Sequence, residues 1–473
     1  MNAVPRVVIS APSSGHGKTA VSVGLLAAYA GRALRPGGFK IGPDHVDAAY
    51  IGLAAGRPAR NLDPRLVGAK RIGPLFVHGA GDADIAVVEG TMGLYDGMTG
   101  STDSESTAQV AAMLRAPVVL VVDAAVMGQS VAAVVHGFRT YDEMTWLGGV
   151  ILNRVASERH ERLLREALSD IGVPVLGAVG RAEMAAALAQ LPARQHGVVP
   201  AVQRGLDATR AVRRLGEVVA AGVDLERLLV LARSAPPLAT DAWSAAEAVV
   251  GDVPTGDILA APVEGGRRPR VAVAGGPASR YGYAESAELL AAAGADVVTV
   301  DPLRDEALPE GTDALVIGAG LPESYAEDLS GNALLRAAVA AHAAAGRPVV
   351  AEGTGLVWLC RELDGRPMCG ILDAAARTTD LTVTGYREAI ARTTLLVPAG
   401  TRVTGHKLHR TLVTPRAGED PAWHWPGGQP EGFVRQRVHA SYLGLHWAGA
   451  PEIAVRLVAA ARSGAGSTAV EAA

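Results

Sequence analysis

The sequence predicts two α/β domains, the first of them built on a doubly wound parallel sheet. Three observations support this prediction. The 473 residues are more than one hydrophobic core usually organises. Short β-branched runs alternate with stretches of helical periodicity, which is typical of parallel strands covered by helices on both faces. A second series of the same kind begins at Arg270, after a segment rich in Pro, Gly and Asp.

The first series contains five apolar runs that we predict to be buried strands, with helices between them. The strands are RVVIS (6–10), FKI (39–41), DIAVVEG (84–90), PVVLVVDA (117–124) and GGVILNRV (148–155). The helices span 18–31, 105–114, 128–139 and 157–171. The pattern weakens after LGAVGR (176–181), and helical segments near 208–234 follow. We therefore expect one domain over residues 1–235.

The second series predicts another sheet with its own helices. Its strands are RVAVAGG (270–276), DVVTVD (296–301), ALVIGAG (314–320), PVVAEG (348–353) and RVTGHKLH (402–409). We expect residues 236–268 to form a linker, residues 269–462 the second domain, and residues 463–473 a flexible tail.

Composition narrows the class of protein. A formal net charge of −4 provides no general field for nucleic acid, so anionic ligands need local sites. Two cysteines, Cys360 and Cys369, are too few for a disulfide framework, and no CxxC pair indicates zinc. The N-terminus lacks a signal-peptide pattern, and no apolar run is long enough to cross a membrane. We expect a cytoplasmic enzyme that binds neither nucleic acid nor membrane. The oligomeric state stays open, a homodimer included.

A phosphate-binding loop is predicted within VVISAPSSGHGKTAVSVGLLAAY (7–29), which has the order strand, loop, helix. The residues at the join are Gly15, His16, Gly17, Lys18 and Thr19. Backbone N–H groups and the helix N-terminus can bind phosphates there, Lys18 can reach the terminal oxygens, and Thr19 can bind Mg²⁺. Pro12 replaces the usual first glycine of the motif. The alternative is a solvated turn with a chance GKT, which the flanking strand and helix disfavour.

Three carboxylates follow predicted strands. Asp44 and Asp47 lie in KIGPDHVDAAY (40–50), and Glu89 ends a strand in VVEGTMGLYDG (87–97). Carboxylates at this edge of a parallel sheet lie where such folds bind ligands. Thr19, Asp44 and Glu89 therefore form a candidate Mg²⁺ set, completed by nucleotide phosphates. The structural alternative makes Asp47 a helix N-cap and Glu89 a loop charge.

Asn153 closes the predicted strand GVILNRV. Its amide has the donor and the acceptor needed to read adenine. A turn-forming role is an equal alternative for this residue type.

The segment PVVAEGTGLVWLC (348–360) has the pattern of a nucleophile elbow, in which a strand, a sharp turn and a helix raise one side chain toward substrate. The residue at the turn is Gly353, which has no group that could attack an amide. Cys360 lies seven residues further on, about two helical turns away. We expect it to be a small buried apolar side chain rather than a replacement nucleophile.

These motifs together resemble the cobyrinic acid and hydrogenobyrinic acid a,c-diamide synthase family. The resemblance covers almost the whole chain in order and rests on GHGKT, FKIGPDHVDAAY, NLDP, VVEGTMGLYDG, STAQVAA, ELDGRPMCGIL and VHASYL. It implies a P-loop NTPase-like synthetase domain related to dethiobiotin synthetase, followed by a class I glutamine-amidotransferase-like domain. It also implies an enzyme that uses ATP and Mg²⁺ to phosphorylate peripheral carboxylates of a corrinoid, a small-molecule polycarboxylate, before ammonia displaces the phosphate.

The resemblance also implies residue roles. Lys18, Thr19, Asp44 and Glu89 fall on nucleotide and Mg²⁺ positions, Lys40 and Asp47 face the substrate side, and Asn153 lies by the adenine.

The second half departs from the family pattern where a glutaminase needs its chemistry. Gly353 stands where AECGGL or AECAGL has cysteine, and Gly444 stands where SYLHLH has its first histidine. Lys407 replaces the carboxylate of GHEFH, and GAGLPE (318–323) replaces the GGFPE turn. We expect glutamine to be a poor donor and the nitrogen to come from free ammonia, a separate glutaminase or another amine. The alternative is a non-catalytic scaffold or regulator that binds nucleotide and a tetrapyrrole or polyacid. The intact phosphate loop favours the enzyme.

Overall fold

The computed structural model describes residues 3–97, 105–189, 205–251, 267–279 and 281–465. The chain divides into two compact units, Met1–Trp243 and Ser244–Ala473. The segment expected to be a linker contains a helix, Ala245–Gly251, and its residues 252–266 lie outside the described part. Of the expected tail, residues 463–465 continue the last helix, and residues 466–473 are likewise outside it.

The first unit contains a sheet of seven parallel strands, which confirms the doubly wound prediction. The strands are β1 Arg6–Ser10, β2 Pro36–Ile41, β3 Arg60–Leu62, β4 Ile85–Glu89, β5 Val118–Asp123, β6 Leu147–Val155 and β7 Val175–Gly180. Their order is β3-β2-β4-β1-β5-β6-β7, and each neighbouring pair is parallel. Every residue of β1 and β4 is buried, because helices cover both faces of the sheet. The three-residue strand β3 was not predicted.

The helices of this unit pack through small residues. They are α1 Lys18–Gly31, α2 His45–Ala55, α3 Pro64–Val67, α4 Ile72–Ala80, α5 Thr107–Met113, α6 Ser130–Thr140, α7 Glu158–Asp170, α8 Arg181–Leu188, α9 Gly205–Gly222 and α10 Leu225–Arg233. Helix α1 approaches α9 so closely that a Cβ atom on Gly24 would lie 2.4 Å from Val219 Cγ2. Gly216 faces Ala27 in the same way, at 2.9 Å. This close packing explains how a chain with 4% aromatic residues fills its core.

The second unit contains two sheets. Its strands are β8 Arg270–Ala274, β9 Asp296–Val300, β10 Thr312–Ile317, β11 Val349–Glu352, β12 Glu362–Leu363, β13 Arg366–Pro367, β14 Ala375–Ala391, β15 Arg402–Thr414, β16 Trp423–His424, β17 Phe433–Arg435 and β18 Val438–Ser441. The first sheet has the order β17-β18-β11-β10-β8-β9, parallel except at the β17–β18 edge. The second sheet joins β13, β12, β14 and β15, with β16 paired to β14.

The prediction that RVTGHKLH belongs to one sheet with the other strands of the second series is wrong. These residues begin β15, which pairs antiparallel with β14 in the separate sheet. The physical reason is visible in the burial of β15, because alternate residues are buried, as in a sheet with one solvated face.

The helices of the second unit are α11 Ala245–Gly251, α12 Ala284–Ala292, α13 Ala326–Gly331, α14 Ala333–Ala344, α15 Gly355–Leu359 and α16 Glu452–Ala465. Cys360 and Cys369 are both buried free thiols. Within the described ranges, neither unit has a helix with the length and apolarity needed to span a bilayer.

Candidate functional site

The candidate site lies at the carboxyl edge of the first sheet. Strand order places β2, β4 and β1 side by side, and the strand register pairs Lys40 with Glu89 and Glu89 with Ile9. The loop that follows β1 therefore leaves the sheet beside two charged side chains. This is the edge at which doubly wound folds bind ligands.

The phosphate loop has the backbone shape that its glycines predict. Gly15 and Gly17 have φ values of 92° and 93°, a region that side chains strongly disfavour. Gly17 is the N-cap of α1, and its carbonyl accepts the first helical hydrogen bond, from Val21 N at 3.1 Å. The helix N-terminus is thus presented to the loop, as anion binding requires.

Lys18 is held over this loop. Its side chain is buried, and Nζ donates to the carbonyl oxygens of Ser13, at 3.2 Å, and Met92. Burial and the nearby Lys40 ammonium lower the pKa of Lys18. Among the described residues, the hydrogen-bond acceptors of this ammonium are backbone carbonyls, so an anionic phosphate would be a stronger partner.

Thr19, Lys40, Asp47 and Glu89 form one hydrogen-bonded cluster. Thr19 Oγ1 donates to Glu89 Oε1 at 2.6 Å and lies 3.3 Å from Asp47 Oδ2. Lys40 Nζ donates to Glu89 Oε1 at 2.7 Å and to Asp47 Oδ2 at 2.8 Å. The structure therefore brings together four of the residues that the sequence singled out.

The charges in this cluster depend on one another. Burial alone would lower the pKa of Lys40, but Glu89 and Asp47 outweigh it and raise that pKa above its usual range. Burial raises the pKa of Glu89 to about 7, against the opposing effect of Lys40. Loss of Lys40 would leave a buried carboxylate without its cationic partner, which is costly.

Asp44, not Asp47, is the N-cap of α2. Asp44 Oδ1 accepts hydrogen bonds from Val46 N at 2.7 Å and Asp47 N at 2.9 Å, so the structural alternative given for Asp47 is wrong. Burial and the neighbouring Asp47 raise the pKa of Asp44. Asp44 Oδ1 thus caps the N-terminus of α2, while Asp47, in the first turn of that helix, faces Lys40.

Asn61 is a site-supporting residue that sequence reasoning missed. It is buried, and its Nδ2 donates to the carbonyl oxygens of Gly42 at 2.8 Å and Asp44 at 3.0 Å. It therefore holds the turn that begins α2. The motif NLDP contained it, but its role depends on β3 lying beside β2, and β3 was not predicted.

Asn153 lies inside β6 and contacts the phosphate loop. Its Nδ2 donates to the His16 carbonyl oxygen at 2.9 Å, and its Oδ1 accepts from Arg154 N at 2.9 Å. His16 Nδ1 accepts from Asp123 N at 2.8 Å, so β5 and β6 both hold the loop. The strand continues to Val155, so Asn153 does not close it. The adenine contact stays a prediction.

The carboxylates suit a metal only in part. Glu89 Oε2 is buried and has no hydrogen-bond partner among the described residues, which leaves one oxygen for a cation. The described ranges contain no group of three or more His, Cys, Asp and Glu side chains placed to hold a metal. Mg²⁺ would therefore need the Thr19 hydroxyl and nucleotide phosphates as further ligands, as is common for this ion.

The elbow of the second unit has the predicted shape. Strand β11 ends at Glu352, Gly353 has a φ of 57°, and α15 begins at Gly355. Cys360 is 0% exposed, and burial raises the pKa of its thiol to about 12. The prediction that Cys360 is a buried apolar side chain is confirmed.

Two further positions depart from the family pattern. Lys407 lies in β15, and Gly444 lies next to that strand. Gly444 exchanges backbone hydrogen bonds with His406, at 2.9 and 3.0 Å. Lys407 is buried, with Nζ 3.6 Å from Glu431 Oε2 and 4.6 Å from the centre of the Trp425 ring. A carboxylate at position 407 would instead face Glu431 with a like charge.

Comparison with known protein families assigns a class to each half. Residues 7–196 match the CobQ/CobB/MinD/ParA nucleotide binding domain. Residues 270–451 match the CobB/CobQ-like glutamine amidotransferase domain. The chain thus joins a P-loop nucleotide-binding domain to a glutamine-amidotransferase-like domain, as the sequence predicted.

Whole-chain relatives narrow the class to one family. A hydrogenobyrinate a,c-diamide synthase from Streptomyces coelicolor is 54% identical over 98% of both chains. One from Thermobifida fusca is 49% identical over 97% of both. A cobyrinate a,c-diamide synthase from Gloeobacter violaceus is 38% identical over 93% of both. The chain belongs to the hydrogenobyrinate and cobyrinate a,c-diamide synthase family.

Proposed function

We propose that this protein is an ATP-dependent ligase that converts peripheral carboxylates of a corrinoid precursor into amides. The names of its relatives support the substrate class and the reaction. The observation that carries the proposal is the cluster of Thr19, Lys40, Asp47 and Glu89 beside the phosphate loop. A protein that only bound nucleotide would not need a second lysine, Lys40, and two carboxylates beside the phosphate loop.

The proposed reaction has two steps. A substrate carboxylate oxygen attacks the γ-phosphorus of ATP, ADP leaves, and an acyl phosphate forms. Ammonia then attacks the acyl carbon, phosphate leaves with the bonding electrons, and one proton is lost from nitrogen. The first step makes a poor leaving group into a good one, so the protein contributes positioning and charge neutralisation.

Lys18 and the residues of the cluster each have a role in that scheme. Lys18 stabilises negative charge on the terminal phosphates, and Lys40 lies between Glu89 and Asp47 on the side where the substrate carboxylate would enter. Mg²⁺, when bound, would neutralise phosphate charge, with Glu89 and Thr19 as its protein ligands. Asp44 and Asn61 hold the turn that carries Asp47.

We propose free ammonia or another amine as the nitrogen donor, supplied directly or by a separate glutaminase. Gly353 and Gly444 provide neither a nucleophile nor a base, and glutamine hydrolysis needs both. The buried Cys360 thiol, with its raised pKa, is unsuited to replace the nucleophile.

The alternative is a non-catalytic relative that binds nucleotide and a tetrapyrrole or polyacid. Incubation with ATP, Mg²⁺, ammonium and hydrogenobyrinate or cobyrinate separates the two functions. We expect phosphate release matched by amide formation, measured by mass spectrometry of the corrinoid. Nucleotide binding without either product would support the alternative and contradict the proposal.

A further inference from the structure

The loop that follows β10, at Ala319, obstructs the elbow at Gly353. The position at which the family pattern has its base, Gly444, is open. A Cβ atom built on Gly353 would lie 2.7 Å from Ala319 Cβ and 3.4 Å from Ala319 Cα. Among the described residues, the only atom within 4 Å of a Cβ on Gly444 would be the His406 carbonyl oxygen, at 3.5 Å, an ordinary contact. The two altered positions are therefore not equivalent.

The obstructing loop is fastened on both sides. Tyr281 N donates to the Ala319 carbonyl oxygen at 2.8 Å. The Thr354 hydroxyl, which is buried, donates to the Gly320 carbonyl oxygen at 2.8 Å and accepts from Gly320 N at 2.7 Å. A Cβ on Gly320 would lie 1.8 Å from the Ala278 carbonyl oxygen, so the loop already touches the backbone behind it. Ala319 therefore cannot retreat from Gly353 without breaking these contacts.

The same contacts occupy the polar groups next to the elbow. A substrate amide in this position would need free backbone N–H donors for the charge that develops on its oxygen. The neighbouring Gly320 N–H group is already hydrogen-bonded to Thr354. The elbow thus lacks both a nucleophile and the space for one.

We propose that Ala319 closes this elbow, so that replacing Gly353 by cysteine is insufficient to restore reaction with glutamine. The inference rests on the proposed function, because it names the residue that excludes glutamine as nitrogen donor. It also assigns the departure from GGFPE a physical effect: a single methyl group fills the space in which a nucleophile Cβ would lie.

The test compares two full-length variants with 6-diazo-5-oxo-L-norleucine, an electrophilic glutamine analogue. Its diazo carbon alkylates a reactive thiolate and releases N₂, and intact mass reports the adduct. The double variant is Gly353→Cys with Gly444→His, and the triple variant adds Ala319→Gly. We expect the triple variant to be labelled about 100-fold faster than the double variant, because displacing a reacting group by about 1 Å can lower its rate by about this factor. Wild type controls for Cys360 and Cys369.

A triple variant that is labelled no faster than the double variant would overturn the proposal, whether both react or neither does. A stability cycle covers the case in which a cysteine variant fails to fold. We expect Gly353→Ala to lower the melting temperature, and to lower it less when Ala319 is Gly. The backbone strain at position 353 is common to both comparisons, so the difference isolates the methyl contact. Equal decreases in both backgrounds would refute the contact. Neither measurement needs ATP or a corrinoid, so either can fail while the proposed ligase function stands.

Discussion

At the scale of residues, the site depends on buried charges that neutralise one another. Lys40 and Glu89 are 3% and 1% exposed, yet their side chains are 2.7 Å apart. Such a pair contributes little net stability, because desolvation offsets much of the attraction. Its presence at a sheet edge therefore indicates chemistry rather than folding.

Replacing Glu89 by Gln or Lys18 by Ala should lower ATP turnover by at least about 100-fold, since each removes a charge that acts on the phosphates or the metal. Phosphate release under saturating ATP measures the effect. Glu226→Gln is the matched control, because the Glu226 side chain is 78% exposed. Turnover within a few-fold of wild type in the Lys18 or Glu89 variant, with an unchanged melting curve, would show that the phosphate site is misplaced.

Asn153→Ala should weaken the binding of ATP and of inorganic tripolyphosphate by a similar factor, about tenfold for a buried hydrogen bond. The reason is that Asn153 holds the His16 carbonyl of the phosphate loop. Calorimetric titration of both ligands measures it. If ATP alone binds more weakly, the adenine contact is the dominant role and the loop contact is secondary.

We expect Glu352 to make the stability of the second unit depend on pH. Burial raises its pKa from 4.5 to about 7, so the folded state binds a proton that the unfolded state releases between these values. Stability should therefore fall as pH rises from about 4.5 to 7. Glu352→Gln keeps an acceptor for Trp447 Nε1 but cannot titrate. We expect its melting temperature to decrease less over this interval than that of wild type, and parallel curves would contradict the assignment.

The sequence predicts which residues belong to the site better than it predicts the contacts that these residues make. Lys18, Thr19 and Glu89 follow from a loop motif and a strand end, which are local patterns. The exchange of roles between Asp44 and Asp47 does not, because both aspartates are good N-cap residues and only the position of Lys40 decides which one faces the site. Asn61 acts through a neighbouring strand, so its role is set by tertiary structure.

At the scale of elements, features set by a local pattern are again predicted better than features set by tertiary pairing. Helix α1 was predicted with its observed ends, since the phosphate loop marks its start. The placement of β15 in one sheet with the other strands of the second series is wrong, because the eight residues RVTGHKLH do not show which partner strand they will meet. The separate sheet of β14 and β15 depends on pairing across residues 375–414, which no local pattern reveals.

The α1–α9 contact can be tested with two glycines of one helix. Gly24→Ala would place a methyl 2.4 Å from Val219 Cγ2 and 2.9 Å from the Leu215 carbonyl oxygen. We expect a loss of about 1–3 kcal/mol from overpacking, measured by denaturant unfolding. Gly31→Ala is the control, because a Cβ there meets no atom within 4 Å, and alanine favours helix. Equal stability of both variants would contradict the close packing.

At the scale of the whole molecule, the two units differ in what they retain. The first unit keeps a phosphate loop, paired charges and a Glu89 oxygen that has no hydrogen-bond partner in the described part of the chain. The second keeps the strand, turn and helix of an amidotransferase elbow, but Gly353 stands at its apex and Ala319 against it. We therefore expect the protein to be a ligase whose nitrogen does not come from glutamine.

The most direct test supplies both donors at once. The full chain is incubated with ATP, Mg²⁺, the corrinoid acid, ¹⁵N-ammonium and unlabelled glutamine, and mass spectrometry measures the isotope in the new amides. We expect amides that carry ¹⁵N, with no glutamate released. Amides containing the unlabelled nitrogen of glutamine, together with stoichiometric glutamate, would contradict it.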